Sequence, residues 1–231
     1  MILAVTPARK GSKGIIKKNL SLVNGIPLIQ HTFNLVKGLD NVFDHYIVST
    51  DCNDIIDLAK QNEVQVPFVR PAHLAEDQTP MLPVLEHAII EMEATYNQPV
   101  STLILLDPTA PLRRPSHITD AYHLFKSNDC DAVISCNQPH RHPSFNMVKE
   151  ESGFAQLVVP LDYEVGSRQT APKVYDLNTV VWIYKRDVIV KDKIRIPKKT
   201  LLYEVEKCDA IDIDYQEDLD YLDYLLQRGH K

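Results

Sequence analysis

No hydrophobic run in the 231-residue sequence approaches the ~20 residues that a bilayer-spanning helix needs. A secretory leader is not expected either, because the basic residues near the start follow the apolar run instead of preceding it. Both absences point to a cytoplasmic protein that makes no membrane contact. The cysteines, Cys52, Cys130, Cys136 and Cys208, show no CxxC spacing, so neither a zinc site nor a redox pair is indicated, and their scatter suits reduced structural thiols. The two commonest phosphate-binding signatures, GxxxxGK[ST] and GxGxxG, are missing. Internal repeats and low-complexity tracts are absent too. A formal charge of −6 argues against nucleic acid as a partner.

What the sequence does have is concentrated at its beginning. Ile2, Leu3, Ala4 and Val5 form the continuous apolar run of a buried parallel strand, which Thr6-Pro7 ends. A loop follows that carries Arg9, Lys10, Lys13, Lys17 and Lys18, with Gly11 and Gly14 leaving room for a ligand to reach backbone N–H groups. In an acidic chain this is a local reversal of sign, and at the carboxyl end of a first strand it suits a polyanion such as a triphosphate.

The remaining periodicities alternate in type, which predicts one α/β domain over residues 1–231, with 44% hydrophobic residues to fill one core. Helices are predicted over Pro27–Lys37, Asn53–Gln61, around Leu82, Leu85, Ile89 and Met92, after a cap at Ser116, and over Gln216–Arg228. Strands are predicted at Tyr46–Ser49, Val64–Val69, Leu103–Leu106, Ala132–Cys136, Val180–Tyr184, Leu201–Val205 and Ala210–Asp214. Between Asn137 and Tyr175 the periodicity fails for longer than an ordinary connection allows. That excursion is either a lid or a surface packed on another chain. His140 and His142 lie within it, but without a third ligand they do not make a metal site.

In the last predicted strand, Asp212 and Asp214 fall on one face with Ile211 and Ile213 on the other. Two carboxylates so placed can hold one Mg²⁺ that keeps waters and accepts phosphate oxygens. Read alone, the same residues also suit an ordinary strand end before an acidic helix start.

The segment ARKGSKGIIKKNL resembles the first motif of the CMP-acylneuraminate (CMP-sialic and related nonulosonic acid) synthetases. STD at 49–51, RPAHLAED at 70–77, LLDPTAPLR at 105–113, SRQTAP at 167–172 and IDIDYQEDL at 211–219 follow in the same order. The resemblance implies a Rossmann-like, mixed and mostly parallel sheet with helices on both faces, and a cytidylyltransferase that activates an acidic 2-keto sugar with CTP. It implies nucleotide contacts from Ala8, Arg9, Gly11, Ser12, Lys13, Lys18, Asn19, Arg70 and Asp77. Arg9, Lys18 and Asp214 would serve the reaction itself, and Asp212 with Asp214 would hold Mg²⁺. Sugar contacts would come from Asp107, Arg168, Gln169 and Asn178, and residues 137–175 would form a small subdomain that builds a homodimer and contacts the partner's sugar.

The sequence departs from this pattern on the side that reads the sugar. Asp107 stands where Gln usually precedes PTSP, and an ionised carboxylate offers only acceptors. Asn178-Thr179 replaces a common Asn-Gly, and Phe145 lies where a basic residue can occur. These changes favour a nonulosonic acid such as legionaminic acid over plain sialic acid. A CMP-Kdo-type synthetase and a nucleotide-binding subunit without turnover are the competing readings.

Overall fold

The computed structural model describes residues 1–11, 14–39 and 41–229. In chain order it contains β1 (Ile2–Pro7), β2 (Leu22–Val23), β3 (Ile26–Pro27), α1 (Leu28–Val36), β4 (His45–Ser49), α2 (Asn53–Gln61), α3 (Met81–Tyr96) and β5 (Thr102–Leu105). There follow α4 (Pro115–Ser127), β6 (Ala132–Asn137), β7 (Val148–Glu151), β8 (Phe154–Leu157), β9 (Asp176–Lys185), β10 (Thr200–Glu204) and α5 (Gln216–Gln227).

Six strands make the central sheet in the order β10-β6-β9-β5-β1-β4, with β9 antiparallel to both neighbours and the other pairs parallel. The apolar run of β1 is continuous because both faces of the sheet are covered. Ala4 points to the side packed by α1 and α4, where it meets Val36, Ile118 and Ala121. Leu3 and Val5 point to the opposite side, against Leu85, Ala88, Ile89 and Met92 of α3. The α/β alternation is thus met, and the mixed sheet with helices on both faces is the architecture the family resemblance implies.

α2 packs through Ile55 and Ala59 on Ile29 and Phe33 of α1. The last helix does a different job. Leu219 and Leu222 of α5 close a small cluster with Ile15, Val23, Leu28, Leu112 and Ile213, so the carboxyl-terminal helix buttresses the basic loop.

Three local predictions are corrected. Val64–Val69 forms only two parallel bridges, Ile47 with Gln65 and Thr50 with Val69, since Pro67 between them has no N–H for a ladder. Ala210–Asp214 is extended but pairs with no strand. It hangs from the site by one backbone bond, Ile213 N–H to the Thr109 carbonyl at 3.1 Å. Ser116 is not the cap of α4, because Pro115 takes the first helical position that its fixed φ suits, and Arg114 precedes it.

The 137–175 excursion contains the hairpin β7-β8, turned by Ser152 (φ 54°) and Gly153 (φ 83°), the pair of positive φ values that a two-residue hairpin loop requires. Its base is pinned by buried His142, whose Nε2 lies 2.8 Å from the Pro172 carbonyl while its Nδ1 accepts from the Ser144 N–H at 3.0 Å. None of the described helices is long and apolar enough to cross a membrane.

Candidate active site

β1 and β5 end side by side, and a cavity of about 360 Å³ opens beyond their carboxyl ends, lined by residues of the first loop, of 107–109 and of the 212–214 segment. That location, beside the strand where chain order turns back across the sheet, is where open α/β sheets bind ligands.

The first loop supplies Arg9, Gly14, Lys18 and Asn19 to this cavity. Lys18 reaches across to donate to the Ile213 carbonyl at 2.7 Å and to Asp214 Oδ1 at 2.9 Å. The two segments touch so closely that a Cβ on Gly14 would lie 2.1 Å from the Asp214 carbonyl oxygen, which only glycine avoids. Arg9 pairs with Asp77. Asn19 is buried, its Nδ2 donates to the Arg9 carbonyl at 3.3 Å, and its Oδ1 has no partner among the described residues. A buried acceptor left unmatched is uncommon, and a donor entering the cavity would satisfy it.

Arg70 closes another side. It is buried, donates from Nε to Ser49 Oγ at 3.0 Å and from its terminal nitrogen to the Ser49 carbonyl, and burial lowers its pKa to about 10. It is thus held by neutral acceptors and not in a surface ion pair, so its charge is left for the cavity.

Asp212 and Asp214 flank Ile213, which is fully buried in the α5 cluster, so both carboxylates turn outward to the cavity although the segment is not a strand. Desolvation at the cavity wall raises the Asp212 pKa, bonding to Thr109 opposes this, and the Asp214 charge raises it further. Thr109 and Thr179 face each other there, with hydroxyl oxygens 3.4 Å apart.

Asp107 sits at the boundary of this cavity and a second one. Burial lifts its carboxyl to about 6, despite the opposing charge of Arg113, and Asp212 pushes it further. The folded protein therefore holds this proton more tightly than the unfolded chain, where the value is 3.8. The ionised carboxylate costs stability in full above pH 6, and the cost disappears as pH falls through this range. Asp107→Asn is expected to stabilise the protein by roughly 1–3 kcal/mol at pH 8 and by little at pH 4. Urea unfolding at the two pH values checks this, and equal gains at both would contradict it.

Other predicted residues fall elsewhere. Ala8 packs in the core with Phe33 and Val48, and Gly11 lies next to the Arg9 side chain without lining the cavity. Asn178 is buried with its amide spent, Nδ2 donating to Asn137 Oδ1 at 3.0 Å and Oδ1 accepting from the Val180 N–H at 3.2 Å. Gln169 lines a separate cavity on the excursion with His142 and Pro172. Ser12, Lys13 and the side chain of Arg168 lie outside the described residues.

Sequence reasoning missed Thr109, Met81 and Arg113, and marked Thr179 only as a departure from Asn-Gly on the sugar side. Thr109 and Arg113 stood within the quoted PTAPLR segment and could have been marked there. Nothing local signalled Met81, which the start of α3 brings in, while the antiparallel placement of β9 delivers Thr179.

Fold and site together define a nucleotidyltransferase: an α/β sheet whose carboxyl edge gathers cations for phosphates beside paired carboxylates. The chain belongs to the cytidylyltransferase family, whose profile matches residues 3–229. It is 32% identical over 98% of its length to the post-translational flagellin modification protein B of Campylobacter coli, covering 95% of that protein. It is 34% identical to the CMP-N,N'-diacetyllegionaminic acid synthase of Campylobacter jejuni, over 97% of this chain and 94% of the other. Among solved structures, a CMP:2-keto-3-deoxy-manno-octonic acid synthetase complexed with CTP shares the fold, with a TM-score of 0.70 at 17% identity and 99% of each chain covered.

Proposed function

We propose that the protein couples CTP to a nonulosonic acid of the legionaminic type, giving the CMP-sugar and pyrophosphate. The observation that carries this reading is the single cavity in which Arg9, Lys18 and Arg70 meet Asp212 and Asp214. The cytidylyl family supplies the nucleotide, and the name of the C. jejuni relative supplies the sugar class. The octonic acid synthetase supports the fold alone at its low identity, so a sugar acid of that kind stands second.

In this reaction the anomeric hydroxyl oxygen attacks the α-phosphorus of CTP. The new P–O bond forms as the bond to the oxygen bridging the α- and β-phosphates breaks, pyrophosphate leaves with that electron pair, and the hydroxyl proton passes to solvent. Arg9, Lys18 and Arg70 bind the triphosphate and offset the charge that builds on the departing oxygens, the positioning and electrostatic work that phosphoryl-type transfer needs. Asn19 Oδ1 accepts from the nucleotide. Asp107, ionised above pH 6, accepts a hydrogen bond from a sugar hydroxyl.

Asp212 and Asp214 suit Mg²⁺. Both carboxylates line the cavity with Arg9 and Lys18, and together they would hold the ion. Bound there, it supplies Lewis-acid neutralisation of phosphate charge. Asp214→Asn keeps the shape and removes one charge. Calorimetric Mg²⁺ affinity in the presence of CTP and turnover are expected to fall together, each about tenfold or more. An unchanged Mg²⁺ dependence would remove Asp214 from the site.

We also infer that residues 137–175 form an inserted subdomain that builds a homodimer and brings Arg168 and Gln169 to the partner's sugar. Phe145, Met147, Phe154 and Val158 stand exposed on it, Phe154 at 73%, and the hairpin has no covered face of its own. Light scattering at micromolar protein is expected to give the mass of a dimer, and a monomer would refute the arrangement.

The substrate itself is tested by rate. With CTP and Mg²⁺, kcat/KM is expected to be highest for a legionaminic-type acid among sialic, legionaminic, pseudaminic and 3-deoxy-octulosonic acids. A preference for the last would replace this assignment.

A further inference from the structure

A cluster of charges that the reaction does not use lies buried where α4 begins. Asp209, 2% exposed, sits after β10 in the turn that leads to Asp212 and Asp214, and its Oδ2 pairs with the half-exposed guanidinium of Arg114. His117, also buried, closes the cluster. Its Nδ1 accepts from the Arg114 N–H at 3.2 Å, so its Nε2–H faces Asp209 Oδ2 at 3.4 Å. Burial lowers the His117 pKa, and the Asp209 charge opposes that shift. Arg114 and His117 line a cavity of about 560 Å³ that shares no residue with the nucleotide cavity.

Burying a carboxylate is costly unless it is paired and hydrogen-bonded, and well-packed apolar residues often serve a core at least as well. What this cluster holds is a segment without a strand partner. The turn before it is closed by the Asp209 N–H donating to the Glu206 carbonyl at 3.0 Å and the Ala210 N–H donating to the Lys207 carbonyl at 3.3 Å. Beyond Ala210, the next backbone–backbone bond among the described residues is that of the Ile213 N–H to the Thr109 carbonyl. Ala210 rests on the core under α4, and Ile211 on the α5 cluster. Asp212 lies between the two ties, in a stretch that joins no sheet, so its place follows from how the two ends are fixed.

We propose that Asp209, clamped by Arg114 and His117, is a positioning residue for the metal: it fixes the upstream end of residues 210–214 and thereby the setting of Asp212 beside Asp214. The inference rests on the proposed metal role of those two carboxylates and adds the group that keeps them in register. Asp212 and Asp214 carry like charges toward one cavity, and a segment with a loose end would let them move apart before an ion arrives. A fixed end keeps the pair preformed, which is how supporting contacts raise the affinity of ligands they never touch. Lys18 fastens the other end through Asp214 and the Ile213 carbonyl, so the carboxylates are held from both sides.

The test is calorimetric Mg²⁺ affinity in the presence of CTP, for Asp209→Ala and Arg114→Gln beside the wild type. Loss of position weakens Mg²⁺ binding in both, by about tenfold in Asp209→Ala and by a smaller factor in Arg114→Gln. Long-range charge alone would act with opposite signs, weakening binding when Asp209 is neutralised and tightening it when Arg114 is. The affinity for CTP in EDTA is expected to stay unchanged, and excess Mg²⁺ is expected to restore most of the lost turnover. Phe125→Leu, a core change on the same helix, controls for lost stability: it lowers the urea midpoint and leaves Mg²⁺ affinity as it was. Arg114→Gln alters a half-exposed side chain and decides the matter alone should Asp209→Ala fail to fold. Unchanged or tighter Mg²⁺ binding in folded Arg114→Gln overturns the positioning role while leaving the reaction and its metal intact. No CTP-dependent Mg²⁺ binding by the wild type overturns the metal assignment and this inference with it.

Discussion

Lys18→Ala is expected to lower turnover about 10²–10³-fold, the usual cost of removing a preorganised group that stabilises developing charge. Lys18 is the loop cation that spans the cavity, with 16% of its side chain exposed and its ammonium 2.9 Å from Asp214. The three donors of an ammonium leave one for phosphate after the Ile213 carbonyl and Asp214 are served. Those two bonds also fasten the unpaired 211–214 segment to the loop, so the variant should lose about 1–2 kcal/mol of stability without unfolding. Steady-state rates at saturating CTP, with a urea melt alongside, separate the two effects. Near-native turnover in the folded variant would take Lys18 out of the chemistry.

Arg113→Met is expected to cost about 3–5 kcal/mol and to empty much of the folded population, since breaking a buried charge network leaves its partners unmatched. Arg113 is buried, and burial lowers its pKa to about 10. Its Nη2 donates to the Asp107 carbonyl at 2.6 Å and the Thr179 carbonyl at 3.0 Å, and its Nε donates to the Val180 carbonyl. One side chain thus ties the end of β5 to β9, the two strands whose junction separates the cavities. Losing it strands three carbonyls and deprives Asp107 of the positive charge that most favours its ionised form. Guanidinium unfolding of purified protein gives the stability loss, and a loss under 1 kcal/mol would show that water replaces the guanidinium.

The fold was legible where burial was total or followed one face of a helix. Ile2–Val5 announced a strand covered on both faces, and the Asn53–Gln61 helix appears with the predicted bounds. Elements that depend on distant partners were less legible. Ile211 to Asp214 alternates like a strand, yet strand pairing needs a neighbour that no local pattern reveals, and among the described residues one backbone–backbone bond, Ile213 N–H to the Thr109 carbonyl, reaches it from the sheet edge. Arg113 looks in sequence like a surface charge after a proline turn, because burial of a charge is decided by carbonyls that come from β9. The second cavity that Asp107 borders was invisible for the opposite reason. Trp182 and Tyr184, which line it, belong to a continuous buried run, and such a run does not show which of its residues face a void. The cation loop was legible because its charge sign opposes that of the chain, while Gln169 and the excursion carry no comparable local signal.

The most direct measurement is pyrophosphate release by the purified protein with CTP, Mg²⁺ and the panel of sugar acids, with ATP, GTP and UTP as controls. Release that requires both CTP and a nonulosonic acid, one pyrophosphate for each CMP-sugar formed, is the expected result. CTP binding without release in the presence of any sugar acid would contradict it, leaving a nucleotide-binding subunit that has the fold and lacks the turnover.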